Sequence, residues 1–400
     1  MRSFVTLTLS VLVKRFSNTV VRALYFALSL IKVFLRLNRG KLDVVFYASS
    51  PIDEIWIRTT LKECTKQGLF CALLFGGKKT DNQPHIDRYK GTPVEWIHPR
   101  LLAFVKCRLF ITASSGLSRE SMPKKAFQRI HMPHSLVSLH MAYPHGTFNG
   151  YDLIFACGEH HVQETAKMKA LYKEFYANAI PIGYGKDELL KESPCKKTSL
   201  LAKHEPGTVE VVIAPSWGKE NILESIGDTL VSSLLNNGFR VTVRPHPMFF
   251  SKEYALFLKN FREQFTSHPQ FTLENPHDGD VSLFRANIMI SDYSGVAMEF
   301  AFSRLRPVLF VDVPIKQLNR QWSELGIVPI ELDLRTRIGM LVKPSIEEIL
   351  RALEILTKEK GLLSSEIEIL RQFYVFNYGA CASTAARHIV NLINGTSGKE

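Results

Sequence analysis

The sequence predicts an α/β chain of two Rossmann-like domains facing a cleft, preceded by an amphipathic helix. Three observations predict it. First, 400 residues, 46% of them hydrophobic, exceed what one core usually organises, so two domains are expected. Second, β-rich runs alternate with helical stretches in two series, which implies parallel sheets covered on both faces. Third, a Lys-rich stretch at 184–207, with Pro194, Pro206 and Gly207, reads as a linker between them. The expected division is a membrane-interface segment at 1–40, a first domain at 41–190 and a second at 191–400. The last helices are free to pack back on the first domain.

Residues 1–40 hold seven Lys/Arg and no Asp or Glu. On a helix, Arg15, Asn18, Arg22, Tyr25, Ser29, Lys32, Arg36 and Arg39 recur at steps of three and four. They form a narrow basic seam on an otherwise apolar surface, the pattern of a helix lying in a membrane interface against anionic headgroups. A spanning helix needs about 20 uninterrupted apolar residues, and Lys14, Arg15, Arg22 and Lys32 break this run. A signal peptide would need a small-residue cleavage site, and none stands out. A plain helix docked on the protein's own core is the remaining alternative.

In the body, buried strands are predicted at 42–48, 69–75, 94–97, 107–112, 129–133, 152–156 and 179–182, with a helix over 53–67. A second series follows: strands at 209–214, 240–244, 271–273, 286–290 and 307–311, with a helix over 220–237. Helices at 345–359, 362–376 and 381–394 close the chain. The net charge of +12 leaves only +5 outside residues 1–40, which suits phosphorylated ligands but is no nucleic-acid footprint. Six cysteines lie far apart with no C-x-x-C pair, which fits a reducing, cytoplasmic compartment and most of them serving as small buried hydrophobes.

The strongest chemical signal is the strand-turn-helix of Ile290, Ser291, Asp292, Tyr293, Ser294 and Gly295. A helix starting near Gly295 presents backbone N–H groups at its positive end beside two hydroxyls, a constellation that binds phosphate. Its plainer alternative is that Ser294 caps the helix and Asp292 makes a turn. Arg244-Pro245-His246-Pro247 follows another strand expected to end at the same edge. Its prolines hold His246 extended, where imidazole and guanidinium can meet pyrophosphate oxygens. Ala214-Pro215-Ser216-Trp217 adds a small-residue loop there.

These motifs, in this order, resemble the CDP-glycerol glycerophosphotransferase family, the teichoic-acid polymerases and primases of GT-B fold. The resemblance rests on A-P-S-W at 214–217, R-P-H-P at 244–247, S-D-Y-S at 291–294 and R-P-V-L-F at 306–310. Tyr151-Asp152-Leu153-Ile154-Phe155 and 182–190 also look like family elements. It implies a donor site of Arg244, Ser291, Asp292, Ser294, Gly295 and Ser216, with His246 catalytic in stabilising the departing negative charge, and no cofactor beyond the nucleotide-activated donor. It also implies an acceptor-activating histidine from a His-Gly-Thr element. The literal tripeptide is His145-Gly146-Thr147, but Pro133-His134-Ser135 sits directly after a strand, so His134 is preferred and His145 is second. Departures are Ser135 for Gly, Glu299 where the family often has Asp, and Gly185 where it often has Pro.

There is no G-x-x-x-x-G-K-[ST] and no G-x-G-x-x-G after the first strand, which disfavours P-loop and dinucleotide chemistry. Asp280 of Asp278-Gly279-Asp280 is expected to cap a helix. The Glu159-His160-His161 run has no third ligand at useful spacing, so no metal site is expected. The expected function is transfer of a polyol phosphate from a CDP-activated donor to a lipid-linked or polymeric acceptor at the inner face of the cell membrane. A glycosyltransferase or epimerase using a UDP-sugar, and a non-catalytic membrane scaffold, are the alternatives.

Overall fold

The computed structural model describes residues 42–77, 89, 91–191, 208–275, 280–359, 361 and 363–395. The interface segment expected at 1–40 and most of the expected linker, 192–207, lie outside the described residues. Among the described residues no helix is long and apolar enough to cross a membrane.

The first sheet has seven strands: β1 (Val44–Ala48), β2 (Cys71–Gly76), β3 (Val94–Ile97), β4 (Leu109–Thr112), β5 (Gln128–His131), β6 (Leu153–Ala156) and β7 (Asn178–Pro181). They pair in the order β3-β2-β1-β4-β5-β6-β7, every neighbour parallel. The second has six: β8 (Glu210–Ala214), β9 (Arg240–Val243), β10 (Phe271–Leu273), β11 (Ile288–Ser291), β12 (Val308–Val311) and β13 (Gly339–Val342). Their order is β10-β9-β8-β11-β12-β13, again all parallel. Parallel strands covered on both faces must be apolar throughout, and β1, β4, β6, β8, β11 and β12 are buried at every position. β13, not foreseen from the sequence, is a half-exposed edge strand without that signature. Its Gly339 lies so close to Val308 that a Cβ there would meet backbone atoms.

The helices are α1 (Arg58–Lys66), α2 (Glu159–Leu171), α3 (Asp187–Lys191), α4 (Ile222–Asn236), α5 (Ala255–Phe265), α6 (Val281–Arg285), α7 (Val296–Arg304), α8 (Ile330–Asp333), α9 (Ile346–Lys358), α10 (Ser364–Tyr374) and α11 (Cys381–Asn394). The helix predicted over 53–67 is divided into a 3₁₀ turn at Asp53–Trp56 and α1. Asp53 is held there by the Ser114 hydroxyl, 2.9 Å away. The stretch beginning at 184 is not linker throughout, because Tyr184 and Leu190 are buried and α3 lies within it.

The two halves share hydrophobic cores. Leu136, Cys157 and Tyr184 of the first half form one cluster with Phe300, Phe302 and Val308 of the second, together with Leu370 and Tyr374 of α10. α11 returns to the first sheet, where Ala385, Ile389 and Ile393 join the face covered by Leu61 of α1. Fully burying such an isoleucine contributes roughly 1.5–3 kcal/mol. The returning chain passes over the carboxyl edge of the first sheet so closely that two glycines are required. A Cβ on Gly158 would lie 2.1 Å from the Tyr374 carbonyl oxygen, and one on Gly183, at φ +119°, would lie 2.3 Å from that of Phe376. Asp187 and Glu188 then accept the amides of Gly379 and Ala382 at the start of α11, at 2.6 and 2.9 Å. The Leu318 amide donates to the Met141 carbonyl (3.0 Å) and Leu325 enters the first half's core, which ties the halves a second time.

Candidate active site

A cleft of about 970 Å³ opens between the carboxyl edges of the two sheets. Its first wall comes from the loops after β1 and β5, bringing Trp56, His134, Ser135 and Tyr143. Its second wall comes from the loops after β8, β9, β11 and β12, bringing Ser216, Trp217, Arg244, His246, Ser294, Gly295 and Lys316. Parallel sheets direct every strand's carboxyl end to one side, so motifs far apart in sequence converge.

The loop after β5 is held rigidly. His160 and His161, in the first turn of α2, bond the carbonyls of Leu136 (3.0 Å) and Val137 (2.9 Å) through their Nε2 atoms. Glu164 accepts the Leu139 amide at 2.6 Å, while Glu331 of α8 accepts the Ser138 amide and hydroxyl at 2.9 and 2.7 Å. The adjacent histidines thus fix the loop that carries His134. Among the described residues no group of three or more His, Cys, Asp or Glu converges so as to hold a metal ion. Cys64, Cys71, Cys107, Cys157 and Cys381 are free and buried.

His134 has Nδ1 2.9 Å from the Ala113 carbonyl oxygen. A carbonyl only accepts, so Nδ1 carries the proton and Nε2 keeps a lone pair. Edge contacts with Trp56 and Tyr143 set the ring plane. Burial lowers the His134 pKa, and Asp53, the Ala113 bond and Glu299 only partly oppose it. His246 has the opposite polarity. Its Nδ1 accepts the Met248 amide at 3.2 Å, so in the neutral ring Nε2 carries the proton. Pro245 and Pro247 flank it at φ −58°, ψ 145°, the extended backbone expected from the sequence. Burial, then the charges of Lys316 and His134, push its pKa down to about 3. One neutral imidazole is therefore poised to accept a proton and the other to donate a hydrogen bond.

Ser294 and Gly295 line the cleft at the start of α7. Gly295 sits against the first wall, where a Cβ would lie 2.1 Å from Ser135 Oγ. Ser291 and Asp292 do not face the cleft, which corrects the expectation that they contact a donor. Ser291 donates to the Ala214 carbonyl at 2.7 Å, clipping β11 to β8. Asp292 accepts the amides of Ser216 (2.6 Å), Tyr293 (2.6 Å) and Ile222 (3.2 Å) and so shapes two loops from behind. Ser216 is almost buried but contributes to the lining. His145 is also corrected: it lies outside the cleft, exposed, 3.5 Å from Glu174 and edge-on to Tyr172.

Arg244 lines the cleft, but its guanidinium reaches Glu274 at 2.6 Å and Asp280 at 2.9 Å. Asp280 therefore does not cap α6 with its side chain, as the sequence suggested. It also accepts Lys186 Nζ at 2.9 Å, and Lys186 reaches Glu299 at 2.8 Å. Glu299 in turn accepts the Tyr184 hydroxyl at 2.5 Å, and Trp56 Nε1 donates to that hydroxyl at 2.7 Å. Burial alone would lower the pKa values of Lys186 and Arg244, but the carboxylates outweigh it and hold both cations charged.

A further cleft cation is Lys316, whose Nζ stands 4.1 Å from the Trp217 ring centroid. Burial lowers its pKa to about 8, opposed by Asp292. Sequence reasoning missed Lys316 because it sits in an irregular segment after β12 with no periodic signal. Lys186 was visible within 182–190, but nothing in the sequence showed that it crosses to Asp280 and Glu299.

The paired parallel sheets and the cleft at their carboxyl edges define a chain of two Rossmann-like domains in the GT-B arrangement. No family model matches the chain, and no curated protein matches it in sequence. Among solved structures it is similar to the wall teichoic acid polymerase TagF, with 13% identity over 94% of this chain and 99% of that one and a TM-score of 0.58. It is also similar to S. aureus MnaA with UDP, with 12% identity, 90% and 99% coverage and a TM-score of 0.60. A third is UDP-GlcNAc 2-epimerase from Neisseria meningitidis bound to UDP-GlcNAc, with 12% identity, 89% and 100% coverage and a TM-score of 0.58. At these identities the likeness establishes the fold.

Proposed function

We propose that the protein is a transferase that moves a polyol phosphate, glycerol phosphate or a close relative, from a CDP-activated donor to a lipid-linked or polymeric acceptor at an anionic membrane surface. The observation that carries this reading is the opposed hydrogen-bond polarity of His134 and His246 in one cleft, with the start of α7 beside them. The cleft volume, about 970 Å³, accommodates a nucleotide diphosphate together with an acceptor end.

In this reading His134 Nε2 takes the proton of the acceptor hydroxyl, whose oxygen attacks the donor's β-phosphorus. The bond from that phosphorus to the bridging oxygen breaks in line, and CMP leaves with the bridging oxygen and the electron pair. His246 Nε2–H, Lys316 and the Ser294–Gly295 turn stabilise the charge developing on the leaving phosphate. Arg244 acts chiefly by holding Glu274 and Asp280 in place. A buried neutral His134 is a competent base at neutral pH because its lowered pKa leaves it unprotonated.

Thermal shift of the full chain with CDP-glycerol, CDP-ribitol, UDP-glucose and UDP-N-acetylglucosamine tests the donor class, since a ligand bound only by the folded state raises its stability. A selective rise with a CDP-polyol, followed by CMP release on adding acceptor, is expected. A selective rise with a UDP-sugar would replace this reading with a glycosyltransferase or epimerase. Binding of none would leave a scaffold.

A further inference from the structure

The amino edge of the first sheet lies opposite the cleft and, among the described residues, carries an exposed surface of unusual composition. Because all seven strands are parallel, the residues that precede them collect on this edge. Phe70 precedes β2, Arg108 precedes β4 and Phe127 precedes β5. The segments 103–108 and 124–128 run side by side, joined by the Lys124 amide to the Ala103 carbonyl (3.2 Å) and the Phe127 amide to the Arg108 carbonyl (2.8 Å). Their inward residues Val105, Cys107 and Ala126 are buried. Their outward residues are Phe104, Lys106, Arg108, Lys124, Lys125 and Phe127, with no acid among them; the Arg108 guanidinium is engaged by the Ile393 carbonyl of α11, which leaves two aromatics and three lysines facing outward. Phe104 is 58% exposed and Phe127 72%.

Acidic groups nearby are mostly engaged. Asp43 lies 3.8 Å from Arg108, and Asp152 pairs with Arg119 and Arg129 at 3.4 and 3.2 Å. Exposed Glu120 lies in the 3₁₀ turn at Arg119–Ser121, which packs against the turn at Pro99–Phe104, and exposed Glu174 precedes β7. The described chain starts at this same edge, where Arg108 N donates to the Leu42 carbonyl at 3.1 Å. Residues 1–40 carry seven Lys/Arg, no acid and a largely apolar remainder.

We infer that this edge docks on an anionic lipid surface, with Phe104 and Phe127 entering the headgroup region and Lys106, Lys124 and Lys125 facing lipid phosphates. Large exposed aromatics interleaved with cations match the interface of a bilayer, where rings sit at headgroup level and each cation near the surface adds attraction. Continuity with the cationic, apolar residues 1–40 favours lipid over a protein partner. The inference bears on the membrane location in the proposed function and does not rest on its donor chemistry; with the cleft on the opposite edge, it fits the polymeric acceptor of that reading.

The test uses the full chain, no nucleotide, and vesicles of equal parts phosphatidylglycerol and phosphatidylcholine containing brominated acyl chains. Phe127→Trp should show quenching of the added indole, read as the difference from the parent. Leu256→Trp, a 69% exposed position on α5 of the second half, should not. Lys124→Glu/Lys125→Glu should weaken partition at least tenfold, because each cation near the surface contributes about 1 kcal/mol and its reversal turns attraction into repulsion. An unquenched indole at 127, or equal quenching at 127 and 256, overturns the inference, as does unchanged partition of the charge-reversed chain. Since no donor is present, failure here leaves the proposed transfer chemistry standing, and failure of donor binding leaves this surface standing.

Discussion

The substitution His134→Asn separates the base from its scaffold. The new amide nitrogen occupies the place of Nδ1 and can still donate to the Ala113 carbonyl, 2.9 Å away in the parent, while Nε2 is removed. Folding should therefore change little, whereas His134→Ala would leave that carbonyl without a donor at a cost of about 1–3 kcal/mol. General-base catalysis is worth about 10²–10⁴ in rate, equivalent to roughly 3–5.5 kcal/mol of barrier. Transfer from CDP-glycerol should fall by that factor while donor-induced thermal shift persists, because the donor is held by the second wall. The pH profile adds an independent reading. Burial places the His134 pKa below the usual 6.5, so the acid limb of kcat/KM should lie below that value. Asp53 raises this pKa by its charge, and Asp53→Asn should move the limb to still lower pH. The reasoning is refuted by a His134→Asn chain that transfers within a few fold of the parent, or by a limb that moves upward without Asp53.

Arg244→Ala should destabilise the chain by about 3–5 kcal/mol in urea unfolding, because it leaves Glu274 and Asp280 buried with fewer partners. Ser291→Ala should cost only about 0.5–1.5 kcal/mol, its single bond to Ala214, with donor affinity unchanged in the thermal-shift assay. Lys316→Met should raise the donor KM, and parent affinity should itself weaken as pH rises through about 8, where Lys316 loses its charge. Asp187 is pushed up to about 7 by burial, against a reference of 3.8. A raised folded pKa gives stability that is complete below the unfolded value and lost as pH rises through the folded one. Unfolding free energies should therefore show Asp187→Asn gaining on the parent between about pH 4 and 7, by up to roughly 1.4 kcal/mol per pH unit. A difference independent of pH would remove that account.

Much of the architecture was legible in residue order. Continuous apolar runs such as Val44–Ala48 and Val308–Val311 read as strands buried on both faces, and their alternation with helical patterns points to two parallel sheets. The prolines around His246 set its backbone locally, so its extended geometry was readable without contacts. The sequence by itself also singled out the turn at 291–295 as a place where amides and hydroxyls gather. Which side each hydroxyl faces was decided elsewhere. Ser291 turns inward because β8 lies beside β11 and offers the Ala214 carbonyl, whereas Ser294 falls beyond the strand and meets the cleft. Choosing between His134 and His145 likewise required tertiary structure: the loop between them reverses from the carboxyl edge of β5 toward the amino edge of β6, and α2 clamps its first part. Lys186 became a partner of Asp280 and Glu299 only when the two sheets closed on each other. Backbone pattern and local sterics act over a few residues and can be read in order. The pairing of buried charges and the aim of a side chain depend on which distant segments exclude water together, and folding alone determines that.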